Sequence, residues 1–167
     1  ILFYKDGKTA TVSVHSRNKN FLVISTNGKP DASFYISDKN SSLDEYPQLL
    51  SAAVPLAVHP NPKRVALIGF GSGMTSHTFL NSKRIKELDS IEIEENMIAG
   101  SKKFLPFNQN AFIDSRSNIV ISDAKTFFSR SKKKYDIIVS EPSEAWVSGV
   151  SNLFSLEFYH SVKKNLT

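Results

Sequence analysis

"RVALIGFGSGMT", residues 64–75, is an apolar run that ends in a glycine repeat. A strand with one wet face alternates apolar and polar residues. A run that is continuously apolar, as over 64–70, is expected in a strand buried on both faces, within a parallel sheet covered by helices. Gly69 and Gly71 permit a tight turn and a close backbone approach to a ligand. The loop continues through Ser72 and Gly73 into a helix predicted over 73–81. A helix start at that place offers free N–H groups and the positive end of a dipole. Glycine is common at turns, so the repeat takes its meaning from its position.

Downstream, the same texture repeats. "LDSIEI" (88–93), "NIVIS" (118–122) and "YDIIVS" (135–140) are predicted strands, with helices over "EENMIAGSKKF", "DAKTFFSR" and "SLEFYHSVKKNL", the last capped near Ser155. Alternating strands and helices imply a doubly wound, parallel α/β sheet. Glu92 ends the strand after the glycine loop, about twenty residues on, where an acidic side chain can accept both hydroxyls of a ribose. Asp123 ends the next strand, where its carboxylate or the neighbouring backbone at Ala124 can hold an adenine edge. Three consecutive strand ends thus carry ligand-suited groups on the edge where open α/β sheets bind. The plainer alternative is that Glu92 and Asp123 only cap the helices that follow. Met74 takes the sixth fingerprint position, where a dinucleotide site needs Gly or Ala, and its bulk favours an adenosyl ligand over NAD.

Upstream, "TATVSVH" (9–15) and "NFLVIST" (20–26) form a predicted hairpin with a second turn at Asn27-Gly28. Residues 30–42 are polar and are expected to form a loop. Residues 1–42 are therefore a small β region, and 43–167 the nucleoside-binding domain. A helix is predicted from Asp44 as N-cap, with Pro47 in its first turn and Pro55 breaking the apolar stretch "LLSAAVPLAV".

The chain has 167 residues, a net charge of +5 and no cysteine. That excludes disulfides, thiolate catalysis and Cys-built zinc sites, and is compatible with the cytoplasm. The four histidines lack ligand spacing, so no metal site is expected. No apolar run reaches the roughly 18 residues that span a bilayer. The basic runs at 101–103 and 129–135 have no interleaved aromatics, which argues against nucleic acid. The start without Met and the stop at "KKNLT" suggest a piece of a longer protein.

"HPNPKRVALIGFGSG", "IEIEENMI", "SKKFLP", "SDAKTFF", "KYDIIVSEPS" and "NLFSLEFY" occur in order and resemble the spermidine synthase family of aminopropyltransferases over about residues 43–166. "SEPSEAWVSGVSNLFSLEFY" is similar to the branch often fused to membrane-spanning segments. The resemblance implies the fold of class I S-adenosylmethionine-dependent methyltransferases behind a small antiparallel β region, with the C-terminal strands absent. It implies decarboxylated S-adenosylmethionine or S-adenosylmethionine as co-substrate, with no tightly bound cofactor. Glu92 would hold the ribose, Asp123 the adenine and the 69–73 loop the rest. A polyamine acceptor, a homodimer and a cytoplasmic location, alone or beside membrane segments, follow as expectations.

The departures from the family pattern bear on activity. Ser72 stands where the family's Asp binds the cationic aminopropyl arm, Asp31 where it has Gln, and Tyr46-Pro47-Gln48 where it has Tyr-x-Glu. Tyr46 is thereby a catalytic candidate and Gln48 a ligand-binding one. The family's Asp-x-x-Asp loop maps in two registers. Without a gap, Ser140 and Ser143 replace both aspartates and the general base is lost; this register is favoured. With one inserted residue, Glu141 and Glu144 keep the i, i+3 spacing. A carboxylate matters because the attacking amine is an ammonium near neutral pH and must lose a proton. Trp146 either walls the pocket or fills the core. A methyltransferase and a non-catalytic ligand-binding domain are the alternatives, since Ser72 no longer discriminates against a ligand carboxylate.

Overall fold

The computed structural model describes residues 1–17, 20–36, 41–141 and 150–167. The N-terminal part is a four-stranded antiparallel meander of β1 (Phe3–Asp6), β2 (Thr11–Arg17), β3 (Phe21–Thr26) and β4 (Lys29–Tyr35). The β3–β4 turn is tight because Asn27 and Gly28 both take positive φ, 50° and 81°. This is the backbone a two-residue hairpin turn demands. The expected loop over 30–42 is therefore corrected in its first part. Pro30 and Asp31 hide the strand pattern, and the ladder shifts register opposite them, between Ile24 and Ser25.

Four parallel strands follow in the order β7-β6-β5-β8: β5 (Arg64–Ile68), β6 (Glu87–Glu92), β7 (Ser117–Ile121) and β8 (Ile137–Ser140). Val65 to Leu67 of β5 are fully buried, as the continuous apolar run requires. On one face α1 (Glu45–Val58) and α2 (Met74–Leu80) share a core with Val65, Leu67, Leu88 and Ile137. On the other, α5 (Ala124–Arg130) and α6 (Leu156–Lys163) pack Phe128, Phe158 and Val162 on Ala66, Ile68 and Ile91. The sheet is thus doubly wound, as expected, with α3 (Glu95–Ser101) and the short α4 (Asn110–Ile113) between β6 and β7.

One helix detail differs from expectation. Asp44 stands at the N-cap of α1, but its side chain makes no cap bond and instead accepts from the Ser33 hydroxyl of β4. Pro55 lies inside α1, which runs on to Val58 over the stretch predicted as helix. The missing N–H costs one helix bond, and burial of Ala52 and Leu56 on either side holds the helix together. Ser155 caps α6 as predicted, accepting from Phe158 N at 3.2 Å.

The small sheet is packed firmly onto the rest. Val12, Val14, Leu22, Ile24, Ala32 and Phe34 form one core with Met97 and Phe104 from the α3 region. Gly100 lets α3 approach closely, since a Cβ there would sit 3.3 Å from Ile24, Phe3 and Val12. Glu94, the N-cap of α3, accepts from Thr9 N at 3.0 Å, Thr9 Oγ1 at 2.7 Å and Ala10 N at 3.2 Å. Among the described residues no helix is long and apolar enough to cross a membrane.

Candidate functional site

The strands β5, β6, β7 and β8 end together at Ile68, Glu92, Ile121 and Ser140, and the loops beyond them form one edge. Gly69, Gly71 and Gly73 all take positive φ, 92°, 53° and 82°, so the loop needs glycine at each. The loop is pinned from below. Gly69 N donates to Ile91 O at 2.9 Å, and Phe70 N to Glu92 Oε2 at 3.0 Å. Asn108, fully buried, donates to Ser72 O at 2.6 Å and to Ser101 O at 2.8 Å.

Glu92 is buried, and its other oxygen accepts from Glu94 N at 2.9 Å. Burial raises its carboxyl above the usual glutamate range; the backbone donors of Glu94, Phe70 and Ile93 pull it back in part, and the Asp31 charge adds to the rise. It does not cap α3, a role that falls to Glu94. Asp123 does cap its helix, accepting from Thr126 N at 2.8 Å, and Ala124 is buried beside it. The capping alternative thus describes one of Asp123's oxygens and none of Glu92's.

Ser72 is turned inward. It is 1% exposed, its hydroxyl donates to Gln48 Oε1 at 2.5 Å, and the same oxygen accepts from Met74 N at 3.2 Å. Gln48 in turn donates to Asp44 O at 2.7 Å and Ser33 O at 3.4 Å. The pair is a strut joining α1, β4 and the loop, and both side chains are spent on it. Tyr46 is exposed on the first turn of α1, away from such bonds. Met74 packs against the small-sheet core.

The two residues at the end of β8 part company. Ser140 pairs with Ile68, and alternation puts it on the face of Ile138, toward α5 and α6. Its hydroxyl is buried with no hydrogen-bond partner among the described residues. Glu141 follows the strand, its N donating to Ile68 O at 2.8 Å. Its carboxylate faces the hydroxyls of Ser51 on α1 and Thr75 on α2. Burial raises it above the usual glutamate range, and those hydroxyls offset the rise only in part. Thr75 also donates to Gln48 O at 2.9 Å, so Glu141 borders the strut beneath the glycine loop. Glu144, Ser143 and Trp146 lie outside the described residues. The sequence had singled out neither Ser51, Thr75 nor Asn108. Small polar residues inside helices or loops carry no signal until a partner is placed beside them.

A glycine loop at the first parallel strand, an acid at the end of the second and a capping acid at the end of the third share the edge on which open α/β sheets bind ligands. Residues 45–167 match the family model of the spermine/spermidine synthase domain. The chain belongs to the spermine/spermidine synthase family. The polyamine aminopropyltransferase of Caldicellulosiruptor saccharolyticus is 37% identical over 113 residues, covering 68% of this chain and 40% of that protein. The polyamine aminopropyltransferase of Methanocaldococcus jannaschii is 31% identical over 136 residues, 81% of this chain and 45% of that one. The chain spans less than half the length of these curated relatives. Among solved structures, a spermidine synthase in complex with the transition-state analogue AdoDATO superposes with a TM-score of 0.86 at 22% identity, over 99% of this chain and 54% of its own. Thermotoga maritima spermidine synthase gives 0.83 at 22% identity, over 99% and 53%. These likenesses establish the synthase fold, a small antiparallel sheet before a methyltransferase-like parallel one.

Proposed function

We propose that the chain is the nucleoside-binding part of an aminopropyltransferase that uses decarboxylated S-adenosylmethionine and an amine acceptor, with Glu141 as the carboxylate that takes the acceptor's proton. The observation that carries this reading is the placement of Glu141: a half-buried carboxylate at the carboxyl edge of β8, bordering the strut of the glycine loop. Ser140, favoured from the sequence for the base position, points to the opposite face of the sheet and lacks a group that can hold a proton at neutral pH.

In this reading the 69–73 backbone, Glu92 and the Asp123–Ala124 turn hold the adenosyl group. The amine lone pair attacks the aminopropyl carbon attached to sulfur. The C–S bond breaks, its electron pair returns to the sulfonium, and methylthioadenosine leaves as a neutral thioether. The proton released by the new secondary amine passes to Glu141. A base whose carboxyl is raised by burial accepts that proton more readily than an exposed glutamate. It works only when ionised, so kcat/KM rises with pH through the raised value and not through the ordinary glutamate range.

The test is product analysis on the full-length protein with decarboxylated S-adenosylmethionine and putrescine. Methylthioadenosine is the expected product. Glu141→Gln should lower turnover by about 10²–10⁴, while Ser140→Ala stays within a few-fold. S-adenosylhomocysteine from S-adenosylmethionine would show a methyltransferase instead. Loss of activity in Ser140→Ala with Glu141→Gln unaffected would overturn the assignment of the base.

A further inference from the structure

A loop with glycines at 69, 71 and 73 bends easily, so a ligand that needs one shape of it must order the loop unless the protein has already done so. The strand side of the loop is fixed by Gly69 N and Phe70 N, which bond to β6. The crown is Ser72. Its hydroxyl goes to Gln48 on α1, and its carbonyl goes to Asn108, between α3 and α4. Asn108 has no exposed surface. Its one side-chain nitrogen donates both to Ser72 O at 2.6 Å and to Ser101 O, in the last turn of α3, at 2.8 Å. The two carbonyls fix which way the amide faces, because the reverse would set Oδ1 against two oxygens. Oδ1 itself is buried with no hydrogen-bond partner among the described residues. A buried acceptor without a donor costs free energy. Stability alone would favour an apolar side chain of the same size.

The segment that carries Asn108 runs along the glycine loop and α2. Asn110 N donates to His77 Nδ1 at 3.2 Å, and the Asn110 side chain donates to Asn81 Oδ1 at 2.8 Å. The Phe112 ring meets that of Phe70 edge-on at 5.7 Å. On its other side the segment is anchored in the small sheet, where Phe107 meets Phe34 of β4, also at 5.7 Å. Asn108 Nδ2 lies 3.4 Å from where a Cβ on Gly73 would stand, so it sits directly beneath the loop. The N–H groups of Gly71 and Ser72 make no hydrogen bond to the described residues. With Ser72 O drawn inward, those two donors are the ones the loop has left for a ligand.

We propose that Asn108 is a positioning residue of the nucleoside site: by joining Ser72 O to Ser101 O it holds the crown of the glycine loop in its binding shape before the ligand arrives. It acts through Ser72 and touches no ligand itself. The inference rests on the reading of this edge as a nucleoside site.

Isothermal calorimetry with methylthioadenosine on the full-length protein tests it, because affinity and stoichiometry are read separately. Asn108→Leu keeps the volume and removes both bonds. It should weaken binding about tenfold, the scale of one or two lost hydrogen bonds, at unchanged stoichiometry. Asn108→Ser, which keeps one donor, should fall between that variant and the parent. Gly28→Ala, a destabilised variant in the distant β3–β4 turn, is the control and should bind as the parent does. A role in stability alone would lower the folded fraction, so that stoichiometry drops while affinity holds. That result, or equal weakening in Gly28→Ala, overturns the proposal and leaves the nucleoside site standing. Failure of both Asn108 variants to fold, as judged by their melting curves, assigns Asn108 to the fold and overturns it as well. Failure of methylthioadenosine to bind the unsubstituted protein overturns the site and this role together.

Discussion

Glu92 supports the glycine loop and, in the proposed function, also holds the ribose, two tasks that a sequence motif shows as one. Its position, at the strand end after the glycine loop, was legible because ligand-binding acids recur at that spacing. Its bonds to Phe70 N and Glu94 N were not legible, since they depend on how the loop folds back over the strand. Glu92→Ala should therefore cost about 1.5–3 kcal/mol of methylthioadenosine affinity, and should also lower the melting temperature, because two backbone donors lose their acceptor. Calorimetry and a thermal melt read the two effects separately, and unchanged affinity would remove Glu92 from the site. Ser72 shows the opposite case: its type was visible, but that its hydroxyl is spent inside on Gln48 and Met74 was not. Between Ser140 and Glu141 the sequence left two registers, and a shift of one residue moves a side chain to the other face of a sheet. Only the packing of Ile138 and Val139 on opposite cores resolves which side each residue serves.

Among the elements, β5 was legible because burial on both faces leaves a continuous apolar run, whereas β6, with Asp89 and Ser90 buried inside it, and β7, partly exposed, were legible from the alternation of strands with helices. The fourth strand of the small sheet was not, since Pro30 and the bulged Asp31 interrupt its alternation. Two glycines with nearly the same φ, one in the β3–β4 turn and one in the glycine loop, offer a direct comparison. Gly28 at φ 81° has open space around it, whereas a Cβ at Gly73, φ 82°, would meet the Phe70 ring at 2.9 Å. Gly28→Ala should lose about 1–2 kcal/mol from the left-handed backbone alone. Gly73→Ala should lose that and roughly 1–3 kcal/mol more from the forced shift of the ring. Denaturant titration of the two variants checks the difference, and equal losses would mean that the loop yields without cost.

At the scale of the whole molecule, the change of sequence texture near residue 42 does not mark a gap in the packing. The small sheet completes its core with Met97 and Phe104, and Glu94 ties its first turn to the start of α3. Burial works to raise the Glu94 carboxyl, but the bonds from Thr9, Asn96 and Ala10 outweigh it and hold the group below the usual glutamate range. A depressed folded value means that these bonds stabilise the protein above the unfolded glutamate pKa, and that the contribution is lost as pH falls through the folded value. Glu94→Gln should thus cost about 1–3 kcal/mol near pH 7. The gap between variant and parent should close in acid, as thermal melts across pH would show; a gap independent of pH would assign the loss to packing. The shared core also restricts how such a protein can be recombined. A chimaera that borrowed its first forty or so residues from a relative would set a foreign sheet on Met97 and Phe104, and would keep the bonds to Glu94 only where its own first turn offers a hydroxyl at the place of Thr9. The small sheet is therefore no interchangeable cassette, and successful grafts should be those that carry the start of α3 along with it.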